Sequence, residues 1–176
     1  MLSTGGAIMK NIKLFSLIIV FCLIFLTFAC SQTVVDEITP KYETFKIGTT
    51  LKIGDFKFCL NSARWSNGDD YFKPETGYIW LLIDCTVQNL NSKPEIVSSM
   101  TQFKLSDKEG YSQTQSWLAY TTIKGSLDGE LSPNQIMRGE IAYEVEINQS
   151  YWEFAFKPNL FDSGQVIYSI KKEQVK

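Results

Sequence analysis

The chain has 176 residues, with 17 Lys and Arg against 19 Asp and Glu, a formal net charge of −2 and no histidine. A faintly acidic chain carries no field for a polyanion, which excludes nucleic acid as a partner. The missing imidazole removes the commonest general base, the usual partner of a nucleophilic serine and the commonest transition-metal ligand.

In chain order the first element is a leader. Lys10 and Lys13 form a basic start, Leu14 to Ala29 carries no charge, and "LTFACSQTVV" then passes from apolar to polar sequence across Cys30. That is the layout of an export signal. Translation starting at Met9 would leave the signal complete, so residues 1–8 add nothing to it. A bacterial lipoprotein is cut directly before a cysteine whose thiol receives diacylglycerol, and Cys30, after the small Ala29, meets that need. Thr27 stands where a leucine is usual. Three readings follow: lipidation at Cys30, an uncleaved anchor, or plain secretion. The run is shorter than the ~20 residues that span hydrocarbon comfortably, which counts against the uncleaved anchor. All three export the domain. Processing leaves about 150 residues, a common size for one domain, and shedding Lys10 and Lys13 makes it more acidic.

The mature chain divides into a polar tether, residues 30–43, a domain over 44–170 and a charged tail, 171–176. "TFKIGTTLKIGDFKFCLNSARW" reads as two strands punctuated by Gly48 and Gly54, and "SNGDDYFKPETG" as a loop. From Tyr78 to Asn89 the odd positions Ile79, Leu81, Ile83, Cys85 and Val87 are apolar while Asp84, Thr86 and Gln88 face away. Trp80 and Leu82 put apolar surface on the second face at one end, which calls for a covering segment. "NLNSKPE" turns the chain, "MTQFKLSDKEG" reads as a strand, "YSQTQSWLAYTT" as a weak strand or irregular crossover, and "GSLDGELSPNQIMRG" as a loop. "EIAYEVEI", "YWEFAFKP" and "GQVIYSI" alternate as three more strands, and "KKEQVK" reads as a frayed, solvated tail. About eight short strands with no helical period argue an all-β antiparallel sandwich of two sheets.

Cys59 and Cys85 are the mature cysteines besides Cys30. An oxidising envelope permits a bridge between them. The pattern places Cys59 opposite Phe56, Phe58 and Leu60, and Cys85 toward the core, so a disulfide needs a bulge that shifts one strand's parity.

The stretches "FKIGTTLKIGDFKFCLNSARW", "GYIWLLIDCTVQNLNSKP", "FKLSDKEGY" and "LSPNQIMRGEIAYEVE" together resemble a bacterial lipoprotein family with an immunoglobulin-like domain of unknown function (DUF4352-type), related to the mycobacterial immunogenic secreted antigen. The resemblance covers nearly all of residues 44–170 and implies an immunoglobulin-like sandwich behind a cleaved signal. Its motifs speak to fold and hardly to activity. The family usually has Pro-Gly in the turn before the late strand, where this chain has Pro133-Asn134. Asn tolerates positive φ, so a type II turn can survive.

Candidate sites each have a plainer reading beside them. Asp69 and Asp70 near Asn67 offer oxygens to calcium, yet adjacent carboxylates usually solvate a turn. Glu140, Glu144 and Glu146 could serve glycoside hydrolysis, yet they include outward positions of an alternating strand. Trp65, Trp80, Trp117 and Trp152 with Tyr71, Phe72 and Tyr120 could build an aromatic platform, though inward rings such as Trp152 are core. Trp65, Tyr71 and Phe72 flank a loop and are the preferred binding surface. Ser126 near Lys124 lacks a G-x-S-x-G context, and no glycine-rich phosphate loop occurs. The sequence thus names no catalytic residue, metal ligand or cofactor. It points to a non-enzymatic, lipid-anchored envelope protein on the extracytoplasmic side of the membrane, presenting its domain to an envelope protein or glycan. The alternatives are an envelope hydrolase using loop carboxylates and an assembly accessory.

Overall fold

The computed structural model describes residues 42–159, 161 and 164–176. The signal, Cys30 and the tether as far as residue 41 lie outside the described residues. In chain order the strands are β1 (Thr50–Ile53), β2 (Phe56–Ser66), β3 (Tyr78–Asn89), β4 (Glu95–Val97), β5 (Phe103–Asp107), β6 (Thr114–Gln115), β7 (Gly129–Leu131), β8 (Ile136–Glu146), β9 (Tyr151–Phe156) and β10 (Val166–Lys171). One turn of helix, α1 (Ser99–Gln102), precedes β5, and 3₁₀ turns occupy Trp117–Thr121 and Lys172–Gln174. The order β1-β2-β3-β8-β6 makes a five-stranded sheet, β10-β9-β5 a three-stranded one, and β4 pairs with β7. Every strand pair is antiparallel. The expected all-β sandwich is what forms.

The two main sheets meet through their alternating apolar faces. The ring of Phe58 of β2 lies tilted against Phe156 of β9 at 4.5 Å, with Tyr168 at 5.6 Å and Phe103 at 5.9 Å. Leu81, Ile83, Cys85 and Val87 of β3, with Trp152 and Phe154 of β9, are fully buried in the same core. Burying such rings is the dominant favourable term, roughly 25 cal/mol per Å² of apolar surface. Tyr168 carries a polar tip into this core and satisfies it by donating to the Thr49 carbonyl at 2.7 Å.

β2 contains the one irregularity that matters for side-chain placement. Its pairing with β3 runs Cys59↔Thr86 and Leu60↔Cys85, then resumes at Ser62↔Asp84, so Asn61 is the extra residue of a bulge. Parity therefore flips from Phe56, Phe58 and Leu60 to Ala63 and Trp65 as the core-facing set. Asn61 bonds Asp84 at 3.1 Å and Thr86 at 2.9 Å across the sheet. The bulge comes after Cys59 and leaves Cys59 and Cys85 on opposite faces. Both are free thiols, Cys59 half-buried and Cys85 buried, and the bridge considered from sequence is not made.

Three local expectations change. The end of the turn "NLNSKPE" runs on into β4, and the loop "GSLDGELSPNQIMRG" contributes β7 and the first residues of β8, giving ten strands among the described residues. Their pairing buries Val97 and Leu131 against the main core, a tertiary gain that composition does not show. "MTQFKLSDKEG" begins as α1, while "YSQTQSWLAYTT", read as a weak strand or irregular crossover, is the two-residue β6 followed by a 3₁₀ turn, as that reading allows. The tail is not frayed: Lys176 donates to the Ala63 carbonyl at 3.1 Å and accepts from the Trp65 N–H at 2.9 Å, while Val175 packs on the core. β1 pairs β2 only as far as Thr50↔Cys59, so the later part of β2 has backbone groups to satisfy there and the tail satisfies them. Asn134 takes φ 62°, and the Gln135 N–H reaches the Ser132 carbonyl at 3.1 Å, closing the turn that Pro133-Asn134 predicts.

Candidate functional site

The outer face of β3 and β8 carries the apolar surface that Trp80 and Leu82 lead one to expect, and a lid covers it. The 3₁₀ turn lays Ala119 on Trp80, Leu82 and Ala142, all buried, with Phe72, Leu118 and Ile123 packed around them. Asp69 ties the loop before β3 to this lid. Its carboxylate accepts the N–H groups of Tyr71 and Phe72 at 2.8 Å each and the Thr121 hydroxyl at 2.8 Å. The Phe72 N–H, then Thr121 and Tyr71, hold its carboxyl below the usual range. The loop also needs Gly68 at φ +81°, since a Cβ there would lie 2.0 Å from the Phe72 carbonyl oxygen. Asp69 is thus a structural clamp, and the described residues contain no group of three or more His, Cys, Asp or Glu able to hold a metal.

This arrangement divides the preferred trio. Trp65 turns inward after the bulge and meets Trp152 edge-on at 5.7 Å. Phe72 sits on the outer face, edge-on to Tyr120 at 5.6 Å. Tyr71 is 89% exposed. They form no single patch, because the bulge moves Trp65 to the other side of the sheet. Trp80 and Trp152 are buried too.

The exposed tryptophan is Trp117, 77% accessible at the start of the 3₁₀ turn, and it rims a cleft of about 520 Å³. α1 contributes Met100, 83% exposed, to the same cleft. The floor is core: Phe103 of β5, Leu127, and Ile141 and Tyr143 of β8 are all buried. The cleft thus enters between the sheets where β5 and the β6–β8 edge diverge. Its volume is within the ~300–1,000 Å³ range of ligand clefts.

Polar groups in the cleft are fixed by neighbours. Gln115 donates from Nε2 to the Ser99 carbonyl at 2.8 Å and to the Tyr143 hydroxyl at 3.3 Å. Burial pushes the Tyr143 phenol well above its ordinary value, keeping it neutral. Asp128 accepts from Ser99 N–H at 2.8 Å, and its carboxylate engages the Ser99 and Ser126 hydroxyls. Ser126 is therefore spoken for: Asp128 holds its hydroxyl at 3.3 Å, and the chain has no imidazole to complete a nucleophile's relay. Glu140, 7% exposed, accepts a two-pronged bond from Arg64 at 2.8 and 2.7 Å and the Lys124 N–H at 2.9 Å. Burial alone would raise its carboxyl; the Arg64 and Lys124 bonds outweigh it and hold the group low. A carboxylate so held is a poor general acid.

Glu144 and Glu146 line a second cleft of about 540 Å³ with Asp107 and Glu109. None of the four is buried. Asp107 is occupied by the N–H groups of Glu109 and Tyr111 at 2.9 Å, and Glu144 accepts the Glu75 N–H at 2.7 Å.

Sequence reading put Trp117 in the aromatic platform but did not single it out, and it missed Met100, Gln115 and Tyr143. Tyr143 reads as core from its inward position. The available signal was its hydroxyl, which must find a partner wherever the ring is buried.

The family described as "Domain of unknown function (DUF4352)" matches residues 45–173. No curated protein matches. Among solved structures the chain is similar to a lipoprotein candidate, ycdA, from Bacillus subtilis, with TM-score 0.59 and 15% identity over 71% of this chain and 39% of that one. It is similar to the yjhA protein of Bacillus subtilis, with TM-score 0.53 and 22% identity over 72% and 97% of the two chains. An uncharacterized β-sandwich protein of Clostridium difficile gives TM-score 0.50 and 12% identity over 76% and 99%. At these identities the likeness shows the fold.

Proposed function

This chain belongs to the DUF4352 family, and from that membership, the leader and the cleft beside Trp117 we propose that it is a non-enzymatic, lipid-anchored protein of the extracytoplasmic face, contacting an envelope protein or glycan. The observation that carries the contact reading is the cleft itself: two large exposed side chains, Trp117 and Met100, stand over a floor of buried core. Exposed rings beside a concave apolar floor are where binding energy concentrates. The likeness to ycdA, described as a lipoprotein candidate, supports the anchor at Cys30. An exported domain held at Cys30 would present the cleft outside the cytoplasmic membrane, joined to it by the lipid.

In-cell photo-crosslinking from a probe at Met100 tests the contact, with Trp117→Ala as control. A crosslinked envelope component that disappears in Trp117→Ala is expected; crosslinks unaffected by the change would sink the reading. Palmitate labelling tests the anchor. Wild type should label and Cys30→Ala should not.

The acidic cleft favours a second reading, hydrolysis through loop carboxylates. It requires that any glycosidase activity of the purified chain vanish in Glu144→Gln or Glu146→Gln.

A further inference from the structure

We propose that the cleft beside Trp117 reads an acetamido group, and that its ligand is an N-acetylated amino sugar. This names the ligand of the contact site proposed above and rests on that reading. Tyr143 is 1% exposed yet lines the cleft, and its hydroxyl accepts from Gln115 Nε2 at 3.3 Å. Among the described residues its own O–H has no acceptor. A buried donor without a partner is costly, so native structures rarely leave one unless something else completes it. The Gln115 bond to the Ser99 carbonyl fixes which end of that amide is nitrogen. Oε1 is left as an acceptor without a donor among the described residues. The cleft therefore offers one buried donor, one acceptor, an apolar floor and an exposed indole.

These four features match an acetamido sugar group by group. The Tyr143 O–H donates to the acetyl carbonyl, the methyl enters the floor of Phe103, Leu127 and Ile141, and Gln115 Oε1 accepts a sugar hydroxyl. The Trp117 ring covers the apolar face of the pyranose. A peptide would present amides too, but an extended peptide gains affinity by pairing with a free strand edge. Here that edge is taken, for the Ser116 N–H bonds the Ala142 carbonyl at 2.9 Å and the Glu140 N–H bonds the Lys124 carbonyl at 2.9 Å. On the β5 side the Gln113 N–H already reaches the Leu105 carbonyl at 2.8 Å. The observations favour the sugar.

The test titrates the purified full chain with the trisaccharide of N-acetylglucosamine, following tryptophan fluorescence and heat. The matching glucosamine and glucose trisaccharides and an acetylated alanine tripeptide amide serve as comparisons. Saturable binding of the acetylated sugar alone is expected, weakened about tenfold in Trp117→Ala and roughly fivefold or more in Tyr143→Phe, with the melting temperature of Tyr143→Phe held. Equal binding of the unacetylated sugars, binding of the tripeptide instead, full affinity in Tyr143→Phe, or no binding of the acetylated sugar at millimolar concentration would each overturn it. A Trp117-dependent crosslink that persists without sugar binding would remove this ligand while leaving the contact site in place.

Discussion

The two faces of the five-stranded sheet are made by the same strands and held by different physics. Toward the other sheet, β2, β3 and β8 present a continuous apolar layer that meets the rings of β9 and β10. Away from it the face is divided. One end is a small apolar cluster under the 3₁₀ lid; the other is a polar lattice in which Arg64 pairs with Glu140 at 2.7 Å and Arg138 with Asp84 at 2.5 Å. Non-directional burial fixes the sandwich, while directional bonds fix the loop and lid that shape the cleft. The inner face should therefore dominate stability and the outer face should set where the cleft stands.

The sharpest way to break this contrast is truncation. Phe58→Ala removes a ring that four aromatic neighbours surround, and urea unfolding should show a loss of about 3–5 kcal/mol. Glu140→Ala leaves the Lys124 N–H without its acceptor and the Arg64 guanidinium with the Thr122 carbonyl, at 2.9 Å, as its remaining acceptor among the described residues. Arg64 keeps about a third of its side chain in water, so solvent screens the loss, and about 1–3 kcal/mol is expected in the same measurement. Replacing both partners, Arg64→Met with Glu140→Leu, should cost less than Glu140→Ala alone. If Glu140→Ala proves worse than Phe58→Ala, the division of labour is wrong.

The inner face was legible in the sequence because burial leaves a period-two trace, as in Ile79 to Val87. The outer apolar end was legible too, since Trp80 and Leu82 break that trace. What stayed hidden was pairing at a distance. Nothing local in "RWS" says that Trp65 turns inward; the bulge at Asn61 arises from bonds to Asp84 and Thr86 on another strand. Val97 and Leu131 look like loop residues because β4 and β7 gain their stability only from each other and the core. The cleft was obscured for the same reason: Met100, Gln115, Trp117 and Tyr143 lie on α1, β6, the 3₁₀ turn and β8, and only the tertiary fold gathers them.

Acid should sharpen the contrast, since the inner face carries no carboxylate. Glu140 and Asp84 are both held below the ordinary carboxylate range. For Asp84 burial opposes this, but the bonds from Arg138 and Asn61 prevail. Their folded values are depressed, so the unfolded chain takes up protons first. Their stabilisation is present above the unfolded value of ~4 and is lost as pH falls through the lower folded ones. Melting temperature measured downward from pH ~5 should drop, and drop less steeply in Glu140→Gln. A slope identical in the variant would show that the polar lattice does not contribute.

The smallest effect belongs to the seam where the two kinds of face meet. Trp80 is fully buried under the lid, and its Nε1 has no hydrogen-bond partner among the described residues. Trp80→Phe loses ring volume, which costs packing, but it also removes a buried donor whose desolvation is worth about 1–3 kcal/mol. These terms oppose each other, so the net change should stay within about 1.5 kcal/mol, well below that of Phe58→Ala. The cleft should respond more than the stability does. A smaller ring lets Ala119 and the 3₁₀ turn settle toward the sheet, shifting the Trp117 fluorescence maximum while the urea midpoint barely moves. A large midpoint change with an unmoved Trp117 signal would mean that the lid is part of the core and not an adjustable cover for the cleft.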